Sequence, residues 1–274
     1  MLSDAVRRLG LRGDAVVEPA RGGASGAAWM VRTPEASYAL RLSSARHTDG
    51  RVAAMAAARA AGLPAPELIR RVSSPDGDAM LLSWLPGTTL LDAVLGELAG
   101  LHRWGRAMGQ LQRCLHEIVA PSQLEDARAD GGHPFSAGRD VAGVPDGDAL
   151  LHLDWHPLNL LVDDGAISGI VDWDNARRGH PLLDLARTHS LLTIEPSLIT
   201  LPAPVRRHLA EFAEAWAEGY GPLAGAIPAA CHAWAGRVML ADLEPRYEDS
   251  PAALDALRRW TDRWVVVVPA SPND

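Results

Sequence analysis

The stretch His152-Leu-Asp-Trp-His-Pro-Leu-Asn159 holds two oxygen-bearing side chains, Asp154 and Asn159, in a turn that Pro157 stiffens. The chain then runs through two apolar segments separated by an Asp-Asp-Gly turn, the pattern of a β-hairpin, and reaches Asp172. Since a hairpin returns the chain to its start, we expect Asp172 to lie beside the first two side chains. Such oxygen ligands, together with substrate phosphates, are typical of Mg²⁺ sites. Phosphoryl transfer also needs a carboxylate that orients the attacking hydroxyl group, and one aspartate remains for that task.

The order and spacing of these residues match a known catalytic loop. In protein kinases this loop has the pattern H-x-D-x-x-x-x-N, which His152, Asp154 and Asn159 reproduce, and Asp172 follows thirteen residues later. With the further segments IVDWDNA and HPLLDLA, the chain resembles the aminoglycoside phosphotransferase family, which shares the protein-kinase-like fold. The resemblance implies that Asp154 is the catalytic base, that Asn159 and Asp172 bind Mg²⁺, and that ATP or GTP donates the phosphoryl group. We expect His152 and Asp184 to hold the loop in place rather than to react.

The resemblance also implies a nucleotide-binding site in the first part of the chain. It would consist of a glycine-rich loop over the phosphates, a cation in the third strand and a hinge between the lobes. The loop contains Gly22, Gly23, Ser25 and Gly26, the cation is Arg41, and the hinge contains Ser83, Trp84 and Leu85. Arginine can hold phosphate oxygens with a fork of donors, although it is not equivalent to the more usual lysine.

The chain departs from the family pattern in three places. Leucine occupies positions 153 and 158, where the family usually has glycine, so the loop's backbone is less free. The helix predicted at 51–61 offers no glutamate to orient Arg41, and only Asp49 is nearby. The loop at 120–148 is shorter than the helical insertion that the family usually carries there.

Strand and helix patterns divide the chain into a β-rich first part and a helical second part. Short extended runs joined by glycine turns occupy 15–42, 67–72 and 79–84, and helical patterns occupy 90–98, 101–119, 205–218, 226–243 and 251–264. We therefore predict an α+β, two-lobed chain with a β-rich N-lobe and a mainly helical C-lobe, and the family resemblance implies that this is a protein-kinase-like fold. The nucleotide-binding lobe is predicted at 1–84, and the lobe with the catalytic loop and the acceptor site at 85–274.

Composition limits the possible partners. The 274 residues carry a net charge of −8, which argues against a duplex nucleic-acid partner, since that would need a basic face, and is compatible with a cationic small molecule. There is no lysine, and all 26 basic residues are arginine. No apolar run approaches the roughly 20 residues that span a bilayer, and the first residues do not resemble a signal peptide. We expect a cytoplasmic monomer that binds a nucleoside triphosphate and a small acceptor, with no membrane or nucleic-acid partner.

Acidic and aromatic residues of the second part are candidates for the acceptor site. An aminoglycoside or another cationic antibiotic would be attracted by carboxylates at a helical wall and bounded by an aromatic ring. The candidates are Trp155, Glu211, Glu214, Asp242 and Glu244. A simpler interpretation is that the acidic residues only face solvent and that Trp155 packs in the core.

Two other functions remain open from the sequence. His152, Asp154 and His156 alternate along an extended segment and would share one face, as the ligands of a metal-dependent hydrolase do. The missing helix glutamate also leaves room for a nucleotide-binding module without catalytic activity.

Overall fold

The structure is a computed structural model that describes residues 2–11, 15–20, 28–43, 48–74, 77–129 and 146–265. The predicted glycine-rich loop of Gly22, Gly23, Ser25 and Gly26 lies outside the described residues, as does most of the predicted loop at 120–148. None of the helices within the described ranges is both long and apolar enough to cross a membrane.

Helices and strands follow one another in a β-rich first part and a helical second part. The described strands are β1 (Val16–Pro19), β2 (Ala28–Arg32), β3 (Ser37–Ser43), β4 (Leu68–Ser74), β5 (Gly77–Ser83), β6 (Thr88–Thr89), β7 (Ala149–Leu151), β8 (Leu160–Asp163), β9 (Ala166–Ile170) and β10 (Arg177–Gly179). The described α-helices are α1 (Leu2–Arg8), α2 (Thr48–Ala60), α3 (Leu90–Gly96), α4 (Leu101–His116), α5 (Pro181–Thr193), α6 (Pro196–Ile199), α7 (Ala203–Tyr220), α8 (Ala229–Leu243) and α9 (Asp255–Trp264). Each helix predicted from the sequence is present, with its ends shifted by a few residues.

The chain forms two compact units, each assembled from separate segments. The first contains Met1–Leu98, Ala120–Leu124 and His156–Ala176, and the second contains Ala99–Val119, Glu125–Trp155 and Arg177–Asp274. Asp154 therefore belongs to the second unit, whereas Asn159 and Asp172 belong to the first.

The first unit is built on a five-stranded antiparallel sheet with the strand order β1-β2-β3-β5-β4. Alternate residues of a strand point to opposite faces. Leu40 of β3 is buried with Val31 and Leu81 in the cluster that includes Ala5 of α1, so the next residue, Arg41, points away from that cluster. Arg41 is thereby directed to the face of the sheet that α1 does not cover.

Strands β8 and β9 form the predicted hairpin, which pairs through β8 with the short strand β6. Its turn holds Asp164 (φ 47°) and Gly165 (φ 76°), the two left-handed residues that a tight hairpin requires. Gly87 (φ 115°) precedes β6, and a Cβ atom there would lie 2.3 Å from the carbonyl oxygen of Val162. The chain after β5 can therefore pass close to β8 only because residue 87 is glycine.

The second unit surrounds strand β7 with helices. Leu151 and Leu153 are fully buried and pack with Leu183 of α5 and with Trp234 and Val238 of α8. The residues directly before Asp154 are therefore packed against α5 and α8.

Helices α4 and α7 of the second unit approach each other closely at glycines. A Cβ atom added to Gly109 of α4 would lie 2.1 Å from the carbonyl oxygen of Trp216, and one added to Gly219 would lie 2.2 Å from that of Arg106. Larger residues at these two positions would force the helices apart.

A buried histidine lies where α8 meets α9. The ring of His232 is 6% exposed and stacks on Trp264 with ring centroids 4.3 Å apart, and the His189 ring lies 5.0 Å away. Burial, and secondarily the nearby His189, lowers the pKa of His232 to about 4.

We expect the protein to lose stability as the pH falls from about 6.5 towards about 4. In this window the unfolded chain takes up a proton at His232, whereas the folded protein does not, and the contribution of His232 at about pH 5 is about 2 kcal/mol. Urea unfolding at neutral pH and at about pH 5 measures the loss, which should be smaller in His232→Phe than in the wild type. The exposed His102, changed to glutamine, is the control and should leave the loss unchanged. Equal losses in His232→Phe and wild type would contradict the assignment.

Candidate active site

The loop after β7 carries Asp154, and the side chain of Asp184 fixes its backbone. Asp184 Oδ2 accepts a hydrogen bond from the N–H of His152 at 3.0 Å, and Oδ1 accepts one from the N–H of Leu153 at 2.9 Å. Asp184 and His152 are fully buried, whereas Asp154 is partly exposed. The expectation that Asp184 holds the loop in place is thus confirmed, and the partly exposed Asp154 is the aspartate that can meet a ligand.

The carboxylate of Asp184 is stabilised by a chain of buried hydrogen bonds. His116 Nε2, at the end of α4, lies 2.9 Å from Asp184 Oδ2, and His116 Nδ1 lies 2.8 Å from the Tyr220 hydroxyl oxygen. Burial alone would raise the pKa of Asp184, but the hydrogen bonds from His116 and the His152 N–H outweigh it and lower that pKa. Asp184 is therefore ionised, and it ties α4, α5 and α7 to one loop.

Leu153 turns the chain towards Asp154 with a left-handed backbone (φ 60°). The sequence suggested that leucine would restrict the loop here. The structure keeps the glycine-like conformation despite the side chain, which is fully buried in the core of the second unit. A non-glycine residue in this region costs about 1–2 kcal/mol, and burial of the leucine offsets that cost.

We expect Leu153→Gly to be more stable than Leu153→Ala by about 1 kcal/mol, because glycine releases the backbone strain that alanine retains. Both variants lose the buried leucine and should be less stable than wild type. Leu151 of β7 is the matched control, since it is equally buried but lies in an ordinary strand, where glycine should be the less stable variant. Urea unfolding of all four variants tests this, and the same order of stability at both positions would contradict it.

A buried arginine lies among the carboxylates of the second unit. Arg187 is 3% exposed, and its Nη2 lies 3.8 Å from Asp242 Oδ2. Burial lowers the pKa of Arg187, while attraction to Asp154, Asp242 and Asp184 acts in the opposite direction. Arg187 and Asp154 therefore attract each other within the second unit.

The hairpin of β8 and β9 brings Asn159 next to the segment that ends in Asp172. Leu160 pairs with Ile170, and the N–H of Val171 donates to the carbonyl oxygen of Asn159 at 2.9 Å. Asp172 follows directly with a left-handed backbone (φ 59°), a conformation that aspartate tolerates better than most residues. The two predicted metal ligands therefore emerge from the same end of one hairpin in the first unit.

Asn159 is further held by its own loop. Its N–H donates to the carbonyl oxygen of His156 at 2.9 Å, and its Nδ2 lies 3.2 Å from the His156 ring nitrogen Nε2. Pro157 is fixed as well, because its carbonyl oxygen accepts a hydrogen bond from the N–H of Leu91 at 3.1 Å. The Asn159 side chain is therefore oriented by its own loop through His156.

Arg41 of β3 contacts two carboxylates of the segment that follows β9. Its Nη2 donates to Asp172 Oδ1 at 2.9 Å and to Asp174 Oδ2 at 2.7 Å. Burial would lower the pKa of Arg41, but the two carboxylates outweigh it and raise the pKa above its ordinary value. The predicted strand-three cation and one predicted metal ligand therefore lie together in the first unit.

Helix α2 supplies an arginine where a glutamate was expected. Arg51 is buried, and its Nε lies 2.9 Å from Asp174 Oδ1. Asp49, the other residue considered from the sequence, instead bonds Arg71, which also contacts the buried Asp78. The carboxylates that accompany Arg41 therefore come from Asp172 and Asp174 and not from α2.

The predicted hinge residues occupy the end of β5 and the chain that follows it. Ser83 exchanges hydrogen bonds with Glu67, whose N–H donates to the serine hydroxyl oxygen at 2.9 Å. Trp84 and Leu85 are half-buried. Their role in nucleotide binding stays a prediction.

The acceptor candidates differ in their surroundings. Trp155 is fully buried, and its indole N–H donates to the carbonyl oxygen of Met108 at 3.3 Å, so it packs inside the second unit. Asp242 Oδ1 lies 3.5 Å from Arg246, and Glu244 lies 3.7 Å from Arg258.

Glu211 and Glu214 lie on α7, and Glu214 is exposed. Among the described residues, neither takes part in an ion pair. These two carboxylates are therefore better placed to attract a cation than Asp242 and Glu244, which already contact arginines.

The ligand set of the alternative hydrolase is not assembled. Across the described ranges, no group of three or more His, Cys, Asp and Glu side chains is arranged to hold a metal ion. His152, which that function would need as a ligand, is fully buried, and its ring packs edge-on against Trp155.

Comparison with known sequences decides the family. A profile of the Phosphotransferase enzyme family (APH) matches residues 16–139 and 139–234. The chain belongs to that family. It is a small-molecule kinase, as the catalytic-loop pattern predicted. Comparison with curated proteins gives this phosphotransferase no match.

Solved structures confirm the fold class of the phosphotransferase. A thermostable mutant of aminoglycoside phosphotransferase APH(4)-Ia, in complex with ADP and hygromycin B, is 16% identical with a TM-score of 0.64 over 96% of this chain and 98% of that one. Aminoglycoside phosphotransferase APH(3'')-Id from Streptomyces rimosus, with ADP and streptomycin, is 18% identical with a TM-score of 0.56 over 88% and 97%. Macrolide 2'-phosphotransferase MphH from Brachybacterium faecium is 21% identical with a TM-score of 0.52 over 93% and 97%. The fold is α+β and protein-kinase-like, with a β-rich N-lobe and a mainly helical C-lobe.

Four residues near the candidate site of the phosphotransferase were missed by sequence reasoning. They are Arg51, Asp174, Arg187 and Tyr220. Asp174 stands two residues after Asp172 in the quoted IVDWDNA segment, which was the available signal. The others carry no local signal, because an arginine on an alanine-rich helix or a tyrosine at a helix end has no specific sequence pattern.

Proposed function

We propose that this phosphotransferase transfers the γ-phosphoryl group of ATP or GTP to a hydroxyl group of a small cationic molecule, such as an aminoglycoside or another antibiotic. The observation that carries the proposal is the grouping of Asn159, Asp172 and Arg41 in the first unit, with Asp154 five residues before Asn159 on a loop fixed by Asp184. Two oxygen donors, a phosphate-binding cation and a separate carboxylate are the parts that phosphoryl transfer needs.

Asp154 is the proposed catalytic base. It orients the acceptor hydroxyl group and accepts its proton as the oxygen attacks the γ-phosphorus. The two hydrogen bonds that Asp184 accepts from the backbone N–H groups of His152 and Leu153 support this role, because they fix where the Asp154 carboxylate is presented. The buried Arg187 attracts that carboxylate and so helps to place it.

Asn159 and Asp172 fit a Mg²⁺ ion by the chemistry of their donors, since carboxylate and amide oxygens are the ligands that this ion prefers. Asp172 retains 21% side-chain exposure, so its carboxylate can be reached by a ligand. When bound with the nucleotide, the ion would neutralise charge on the phosphate oxygens.

Arg41 is the proposed contact to the α- and β-phosphates. Its Nε is buried and, within the described part of the chain, has no hydrogen-bond partner. A buried donor of this kind is costly to leave unsatisfied, and a phosphate oxygen would satisfy it. Backbone N–H groups of the loop containing Gly22, Gly23, Ser25 and Gly26 are proposed to cover the phosphates.

A cationic acceptor is favoured by charge and by the named relatives. The chain carries a net charge of −8, and Glu211 and Glu214 of α7 offer carboxylates outside any described ion pair. The aminoglycoside phosphotransferases that share the fold are named in complex with hygromycin B and streptomycin, and a further one acts on macrolides by name. Phosphorylation of such an antibiotic would confer resistance to it.

The function can be tested by incubating the purified protein with Mg²⁺, ATP or GTP and a panel of hydroxylated compounds. The panel contains aminoglycosides, macrolides and neutral sugars of similar size, and mass spectrometry detects the phosphorylated product. We expect transfer to an amine-bearing acceptor and none to the neutral sugars. Transfer to neutral sugars alone would overturn the cationic acceptor, and a protein that neither binds nor consumes either nucleotide would overturn the proposed function.

A further inference from the structure

Arg41 has two carboxylate partners that differ in what else they contact. Asp172 follows the hairpin and is the proposed metal ligand. Asp174 lies on the 3₁₀ turn Trp173–Asn175 and contacts Arg41 through Oδ2 while its Oδ1 lies 2.9 Å from Arg51 of α2. Asp174 therefore bridges the two arginines.

The turn that carries Asp174 is rigidly held. The Trp173 side chain is 2% exposed, and its indole N–H donates to the carbonyl oxygen of Ile170 at 2.8 Å. The N–H of Ala176 closes the turn on the carbonyl oxygen of Trp173 at 3.2 Å. The carboxylate of Asp174 is thus presented from a backbone that is fixed on both sides.

Arg51 connects this turn to α2. Its side chain is 7% exposed, and the helix is itself anchored by Ala54, Met55 and Ala58, which are buried. Burial lowers the pKa of Arg51, and the carboxylate of Asp174 is the largest opposing influence. An arginine buried at this depth needs a carboxylate partner, and Asp174 supplies it as an ion pair, without a hydrogen bond between Arg51 Nε and Asp174 Oδ1.

We propose that Asp174 is the positioning residue of Arg41 and that Arg51 anchors Asp174 to helix α2. The inference rests on the proposed function, in which Arg41 binds phosphate. Asp174 then orients Arg41 from the 3₁₀ turn, as a glutamate on the helix would do. The residue on the helix is instead the cation Arg51, which holds Asp174. When Asp172 binds another cation, Asp174 continues to hold the Arg41 guanidinium group.

The first test is the binding of ADP by calorimetry to wild type and Asp174→Asn, with Mg²⁺ and with EDTA. Loss of a charge-assisted hydrogen bond should weaken ADP binding about 10- to 100-fold, equally in both conditions. The concentration of Mg²⁺ that gives half-maximal turnover should stay at the wild-type value. Asp163→Asn, an exposed aspartate of β8 in the same unit, is the matched control and should bind ADP like wild type.

A double-mutant cycle separates positioning from a direct contact. In an Arg41→Met background, Asp174→Asn should have little further effect on ADP binding, because its action passes through Arg41. The compensating variant Arg51→Glu/Asp174→Asn restores a carboxylate to the neighbourhood of Arg41 from the helix. It should bind ADP at least about fivefold more tightly than Asp174→Asn alone.

Each outcome decides between the hypotheses, provided that circular dichroism shows every variant to be folded. Wild-type ADP affinity in Arg41→Met would overturn the phosphate-binding role of Arg41 and with it that part of the proposed function. Weak binding in Arg41→Met with unchanged binding in Asp174→Asn would overturn the positioning role alone. A change in the Mg²⁺ concentration for half-maximal turnover of Asp174→Asn would make Asp174 a metal ligand and overturn the inference. ADP binding by Arg51→Glu/Asp174→Asn that is no tighter than by Asp174→Asn would also overturn it.

Discussion

Asp154→Asn is expected to lower kcat by at least about a hundredfold, since loss of a general base typically costs on the order of 10²–10⁴ in rate. Asparagine keeps the size of the side chain but cannot accept the proton of the acceptor hydroxyl group. The KM for the nucleotide should change little, because the proposed nucleotide contacts are Arg41, the glycine-rich loop and the Mg²⁺ ligands Asn159 and Asp172. Steady-state kinetics with the acceptor found in the screen, at saturating nucleotide, measures both constants.

The same substitution at an exposed aspartate provides the control for this prediction. Asp163→Asn, on strand β8, removes a carboxylate of equal size and should leave kcat within about twofold of wild type. A folded Asp154→Asn enzyme with near-wild-type kcat would remove Asp154 from the mechanism.

Asp184→Ala is expected to destabilise the protein by about 3–5 kcal/mol, since each buried polar group left without its hydrogen-bond partner costs about 1–3 kcal/mol. The carboxylate accepts hydrogen bonds from two backbone N–H groups and contacts His116, so its removal leaves three buried polar groups without their partner. In a chain of this size the melting temperature should fall by on the order of 10 °C. Thermal unfolding followed by circular dichroism measures the shift.

An exposed ion pair of the same unit is the matched control for Asp184. Glu218 pairs with Arg106 at 3.0 Å but is 60% exposed, so Glu218→Ala should cost less than about 1 kcal/mol. Asp184→Ala should also reduce kcat below the unfolding temperature, because the backbone that presents Asp154 is no longer fixed. A stability loss no larger than that of Glu218→Ala would show that Asp184 does not brace the loop.

Features that depend on neighbouring residues were predicted well from the sequence. The β8–β9 hairpin follows from an Asp-Asp-Gly turn between apolar runs, and it is the hairpin that returns the chain from Asn159 to Asp172. Helix α2 was predicted because alanines favour helix and Gly62 ends it, and its earlier start at Thr48 is within the usual error of helix ends. These patterns act over a few residues and can be read directly.

The conformation of Leu153 could not be predicted from the sequence. Leucine in place of glycine suggested a less free backbone, yet the residue adopts the left-handed conformation because its side chain fills the core between α5 and α8. A local conformational preference of about 1–2 kcal/mol is overcome by burial of a large apolar side chain. Packing of this kind cannot be derived from the loop sequence alone.

The sequence by itself determined the family, the fold class and the set of candidate residues in the loop and hairpin, since motif spacing and hydrophobic periodicity are local properties of the chain. Only the tertiary structure decided which carboxylate accompanies Arg41, because its partners Asp172 and Asp174 lie 131 and 133 residues away. It also decided that α2 contributes a cation and that a buried Arg187 lies among the carboxylates of Asp154, Asp184 and Asp242. The physical reason is that an ion pair depends on distance and burial, and these arise when strands, helices and turns far apart in sequence pack together.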